Sequence, residues 1–94
     1  MPAVGRKGDS CTGHACFPPR ASTAGCDWVT IESVEVLRVG DGYASHRCGK
    51  TSHGGSQAAG SDLVFIDDVP VARIGDSVDC GSALAQGSDF VFAE

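Results

Sequence analysis

Apolar and polar positions alternate in two windows of the chain, and each window is broken once by a polar pair. From Asp27 to Val39 the run containing Trp28, Val29, Ile31, Val34 and Val36 is interrupted at Glu32-Ser33. From Asp62 to Ile74 the run containing Val64, Ile66, Val69 and Val71 is interrupted at Asp67-Asp68. β-branched residues in alternation around a two-residue polar break predict β-hairpins. A further strand is expected at Phe90 to Ala93. Residues 10–25 and the Gly- and Ser-rich segment from Gly42 to Ala59 read as loops. No window sustains a helical period, so little helix is expected.

The same windows carry a repeat. Val-x-Arg-x-Gly-Asp occurs at Val4–Asp9, Val36–Asp41 and Val71–Asp76, three times in all. Gly-x-Asp-x-Val also occurs three times, at Gly25–Val29, Gly60–Val64 and Gly87–Val91. Two motifs interleaved in this way predict internal threefold repetition. The two-residue turns fix a register that pairs Ile31 with Val34, Val29 with Val36 and Asp27 with Arg38. In the other hairpin Ile66 faces Val69, Val64 faces Val71 and Asp62 faces Arg73. Each Asp then faces an Arg across the ladder, a pairing that antiparallel neighbours favour by up to about 1 kcal/mol. Because the chain begins on the second strand of a repeat and ends on the first, residues 87–94 should pair with residues 1–8. Val91 would meet Val4, Asp89 would meet Arg6, and a pseudo-threefold ring would close without open sheet edges. Tandem hairpins with a frayed C-terminus are the plainer alternative. The expected core includes Val29, Val64 and Val91.

Length and composition sharpen this. Ninety-four residues allow one domain, residues 1–94, whose core is marginal enough to call for a staple. Five cysteines and three histidines offer disulfide or metal, and the odd cysteine count leaves at least one thiol outside any internal disulfide set. Met1–Gly5 shows no apolar leader and no run approaches a membrane span, which predicts synthesis in the cytoplasm, where metal ligation is the commoner use of cysteine. A net charge of -5 without a basic cluster argues against nucleic acid as a partner.

Counting from the Asp of each Gly-Asp, His14 and His46 stand at equivalent places in two loops, and Cys80 stands one residue earlier in the third. With His53 they make a set of three nitrogens and one sulfur, which suits a closed tetrahedral zinc shell with no position left for catalytic water. The rival set is Cys11, His14, Cys16 and Cys48. Cys11, Cys16, Cys26 and Cys48 otherwise read as buried or partly exposed free thiols, with disulfides formed after export as the alternative. Asp9, Asp41 and Asp76 read as turn caps rather than catalytic acids, because an Asp after Gly at a strand end bonds its own backbone. The three Arg residues read as ladder partners.

Together these residues resemble the PAAR-repeat family, the tip proteins of type VI secretion spikes and contractile phage tails. The namesake Pro-Ala-Ala-Arg stands as Pro70-Val71-Ala72-Arg73, and the family's Gly-Ser-Pro-x-Val-Phe is met by Gly60–Phe65 and Gly87–Phe92, with Asp in place of Pro. Ala3 and Glu35 replace the Pro of the other two copies, and the cysteine-rich loop from Cys11 to Cys26 is an addition. The resemblance implies an all-β, conical, non-enzymatic protein stapled by a metal. Its base would cap a trimeric β-helical spike protein, one copy per trimer, and its point would hold zinc, with iron less favoured, through His14, His46, His53 and Cys80. It further implies capacity for effector cargo, passing contact with a target membrane, and delivery outward across the envelope at the tip of the injection device. A free-standing cysteine-rich metal-binding or redox protein remains the alternative. A zinc hydrolase is the weakest reading, since no Glu lies in the ligand loops.

Overall fold

Three amide-to-carbonyl bonds close a ring inside the molecule. In the computed structural model, which covers residues 1–94, Gly5 donates to Ala72 (2.9 Å), Ala72 to Leu37 (2.9 Å) and Leu37 to Gly5 (3.0 Å). These are equivalent positions of the three Val-x-Arg copies. A second ring runs in the opposite sense: Lys7 donates to Glu35 (2.8 Å), Val39 to Pro70 (3.0 Å) and Ile74 to Ala3 (2.9 Å). Each copy is thus bonded along both edges to the other two, and none presents an open edge.

Six strands flank this centre, with no helix: β1 (Cys26–Ile31), β2 (Val34–Val36), β3 (Gly42–Cys48), β4 (Thr51–Ser56), β5 (Phe65–Ile66) and β6 (Val69–Pro70). They pair as three antiparallel hairpins, β1-β2, β3-β4 and β5-β6. The turns at Glu32-Ser33 and Asp67-Asp68 are left-handed at both central residues, φ 53° and 69° in the first and 49° and 67° in the second, as tight hairpins of this hand require. The termini supply the equivalent of a third such hairpin. Val4 donates to Val91 (2.9 Å) and Ala93 to Pro2 (3.0 Å), matching the Val71-to-Val64 bond (3.1 Å) of the complete repeat.

Register departs from the alternation in one hairpin. Ile31 faces Val34, but a bulge then sets Cys26, not Val29, against Val36. The other two copies open on a Gly-Ser step. The Ser61 and Ser88 amides donate to Val71 and Val4 (both 2.9 Å). Their hydroxyls then accept the amides of Leu63 and Val64, or of Phe90 and Val91, at 2.9–3.1 Å. This folds the start of the strand back on itself. A Cβ on Gly60 would lie 2.6 Å from the Val71 carbonyl oxygen, so the step needs glycine.

The expected Asp–Arg ladders do not form. Each Arg instead meets the Asp three residues on: Arg6–Asp9 (3.2 Å), Arg38–Asp41 (3.5 Å) and Arg73–Asp76 (2.9 Å). The same carboxylates accept the Arg amides at 2.7–2.9 Å, and the Asp amides donate back to the Arg carbonyls. Gly8, Gly40 and Gly75, with φ between 93° and 96°, make the turn possible. Within a local loop of four residues one carboxylate satisfies a backbone amide and a guanidinium together, which a cross-strand carboxylate cannot do.

The core divides along the axis. Val4, Ile31, Val36, Val71 and Ala93 pack beside the hairpin turns and termini. Cys11, Leu37, Tyr43, Ala72, Val78 and Leu84 form the next cluster, against which Cys80 packs. Val29, Val64 and Val91 are only partly covered. They line an apolar funnel of about 180 Å³ open at the hairpin end. At the ring itself the three equivalent side chains are absent, large and small: Gly5, Leu37 and Ala72. Space on the axis admits one leucine, and a Cβ at Gly5 would strike Leu37 and Leu84.

Leu37→Ala should therefore cost about 3 kcal/mol or more of unfolding free energy. Gly60→Ala should cost a comparable amount, since the opposing atom is backbone that cannot give way. Urea titration measures both, and a midpoint unchanged by either variant would contradict this packing.

Candidate metal centre

Beyond each Gly-Asp turn the chain rises into a loop whose stem is tied to its neighbour. Thr23 donates to Gly42 (2.8 Å), Ala58 to Ser77 (2.8 Å) and Ala85 to Ser10 (2.9 Å), again around the axis. The segment from Gly42 to Ala59, expected to be loop, contains β3 and β4, the longest hairpin of the molecule. Its Gly and Ser content hides it, and Tyr43 is its main apolar anchor. A two-residue turn at Gly49-Lys50 sets Cys48 against Thr51 and His46 against His53. Two histidines seven residues apart thereby become direct cross-strand neighbours.

His14, His46, His53 and Cys80 converge, their ligand atoms all within 4.8 Å of one another. His46 Nδ1 lies 2.8 Å from the Pro18 carbonyl and His53 Nδ1 lies 2.8 Å from the Gly54 carbonyl. A carbonyl only accepts, so both Nδ1 atoms carry protons and donate, which leaves Nε2 of each ring directed at the other. Those two Nε2 atoms stand 3.0 Å apart. A metal ion bound by both atoms is compatible with that spacing, because a tetrahedral shell with bonds of about 2.0–2.1 Å has nitrogens at a similar separation. His14 Nε2 is buried with no hydrogen-bond partner, which fits a third ligand atom. Imidazoles fixed through Nδ1–H to carbonyls are the usual second layer of a metal site. The residues present therefore fit a metal ion, and this cluster could hold one.

The electrostatics agree. Desolvation first, then repulsion by His46, His53 and Arg20, pushes His14 below its ordinary value, so it offers a lone pair near neutral pH. Burial pushes the Cys80 thiol up, but hydrogen bonds from Ser82 and Arg20 outweigh it and the net shift is downward. Ser82 Oγ is 3.6 Å and Arg20 Nη2 3.1 Å from Cys80 Sγ. Phe17 closes the cluster on one side: its ring centroid lies 4.8, 4.8 and 4.4 Å from those of His14, His46 and His53.

Phe17 and Arg20 carry no sequence signal of these roles. Phe17 is placed by the turn in which its amide and carbonyl pair with those of His14, whereas Arg20 reaches Cys80 across sixty residues of chain.

The rival ligand set does not assemble. Cys11 is buried in the core cluster, and Cys16 and Cys48 are joined in a disulfide with Cα atoms 5.4 Å apart. Reading these two as free thiols is thus corrected, while Cys11, Cys26 and Cys80 are free. Each bonded cysteine follows a histidine of the cluster by two positions, so loops that bring His14 and His46 together also bring the two sulfurs together.

The PAAR motif family matches residues 48–94, the C-terminal half of the chain, which includes His53, Cys80 and the complete Val69–Asp76 turn. No curated protein matches the chain.

The disulfide closes a loop over a sequence separation of 32 residues, for which loop-closure entropy gives about 3–4 kcal/mol of stabilisation. Replacing both Cys16 and Cys48 by Ser should lower unfolding free energy by that order, and reductant should do the same to the parent chain but not to the variant. Equal denaturation midpoints with and without reductant would count against the bridge.

Proposed function

The chain belongs to the PAAR motif family, and from that premise we propose that it is the non-enzymatic tip of a membrane-puncturing spike in a type VI secretion system or contractile phage tail. One copy would cap the trimeric β-helical spike protein, base down, and serve as a point to which effector cargo can be attached. Synthesis in the cytoplasm would be followed by delivery outward across the envelope. The Cys16–Cys48 bridge suits the outer end of that path, since cytoplasmic thiols are held reduced.

The observation that carries this reading is the hairpin end. Of nine exposed large apolar side chains, seven lie on the three Gly-x-Asp-x-Val segments and the strands they open: Trp28, Leu63, Val64, Phe65, Phe90, Val91 and Phe92. Trp28, Leu63 and Phe90 occupy the same place in each copy and are 64%, 68% and 74% exposed. Together with the axial funnel they offer three similar apolar patches about one axis. A partner with true threefold symmetry can meet all three at once with three equivalent surfaces, and the short strands around the funnel can add main-chain pairing.

At the other end, His14, His46, His53 and Cys80 would hold zinc, which suits three nitrogens and a sulfur better than iron does. Bound there, the ion would cross-link the loop tips beyond the core formed by Cys11, Tyr43, Val78 and Leu84. Metal ligation of this kind contributes on the order of 10 kcal/mol to folding in small zinc domains.

Leu63→Asp combined with Phe90→Asp should weaken binding to the trimeric spike protein by about 100-fold or more. His46→Ala or chelation should lower the melting temperature by about 10 °C or more. Undiminished affinity of the double variant would sink the base assignment. An unchanged melting curve after chelation, with no ion in anomalous diffraction maps, would sink the metal assignment.

A further inference from the structure

Arg20 is a buried cation that no carboxylate pairs. It is 6% exposed, and its Nε and Nη1 atoms are buried without partners. Its Nη2 reaches Cys80 Sγ at 3.1 Å. The neighbouring Asp79 spends an oxygen on the Ser56 amide at 2.9 Å. Leaving a guanidinium buried with no anion is strongly unfavourable, so the position is a costly one for an arginine with only a packing role. The sulfur of Cys80, anionic whenever it ligates a metal, is the acceptor its geometry selects.

A chain of contacts fixes the guanidinium. It lies over the Tyr43 ring, 5.4 Å from its centroid. The Tyr43 hydroxyl donates to Gln57 Oε1 at 2.6 Å, and the Gln57 amide donates to the carbonyls of Ala59, Asp76 and Ser77. Arg20 is therefore tied to the stems of the second and third loops while belonging to the first. Ser82 approaches the same sulfur at 3.6 Å, leaving the rest of the sulfur surface turned to the imidazoles.

We propose that Arg20 is a positioning residue for the metal's sulfur ligand: its Nη2–H···Sγ bond aims Cys80 at His14, His46 and His53 and draws electron density off the metal-bound sulfur. This rests on the reading of those four residues as a metal site. An N–H···S bond lowers the energy of the sulfur lone pairs, so it raises the energy of sulfur-to-metal charge transfer. Outer-layer partners of metal ligands typically change affinity 10- to 100-fold when removed.

Cobalt(II) is the probe, added to the metal-free full chain and to Arg20→Met and Arg20→Lys. The parent should show the visible bands of tetrahedral cobalt and a near-ultraviolet sulfur-to-cobalt band. Arg20→Met should move that band to lower energy and weaken cobalt binding by about 10-fold or more. Arg20→Lys, which can offer one donor but not the planar fork, should fall between and keeps the test usable if the Met variant does not fold. A folded variant with the parent's band and affinity overturns the proposal, as does tighter binding, which would make Arg20 a repelling cation. A parent chain with no sulfur-to-cobalt band overturns the underlying metal assignment itself.

Discussion

The bonds from Gly5 to Ala72, Ala72 to Leu37 and Leu37 back to Gly5 make three segments of one chain mutually dependent, because no copy can complete its backbone pairing until both others are in place. Each bond contributes only about 1 kcal/mol net, yet a buried amide left unpaired costs about 1–3 kcal/mol. The ring thus acts more through the penalty for alternatives than through its own strength. It also places the N- and C-terminal strands together, since the first copy lacks a hairpin partner until residues 87–94 arrive.

Above the ring the loop stems inherit its symmetry, and the cluster of three histidines and a cysteine breaks it. The loop stems are bonded in threefold fashion, but the loops differ in length and content, so the first gives one imidazole, the second two and the third a sulfur. The loop stems bury Cys11, Tyr43, Val78 and Leu84, and the cluster tips lie beyond that core. Their order rests on polar and covalent links: the Cys16–Cys48 bridge, the carbonyl bonds of His46 and His53, and the reach of Arg20 across to Cys80. A metal bound among the four ligands would finish what these links begin.

Below the ring the opposite holds. Symmetry is kept on the outside, where Trp28, Leu63 and Phe90 stand at equivalent places, and the inside is left unfilled along the axis. An apolar funnel with an apolar rim is the kind of exposed patch that marks an interaction surface. The two ends are therefore built to different rules, one converging on a point and one presenting a threefold face.

What the sequence by itself determined is the copies of Val-x-Arg-x-Gly-Asp and the hairpin turns at Glu32-Ser33 and Asp67-Asp68, which follow from alternation and turn chemistry within a few residues. It also determined the closure of head on tail, which follows from a repeat that begins on its second strand and ends on its first. The tertiary structure decided what is settled by competition between partners. Each Arg had two candidate carboxylates, and the nearer one in sequence took it because the same oxygen also satisfies the Arg amide. The β3-β4 hairpin was illegible because Gly and Ser pair through backbone alone and leave no apolar alternation to read. The Cys16–Cys48 bridge and the Arg20–Cys80 contact depend on how far apart whole loops stand, a distance that only the closed ring fixes.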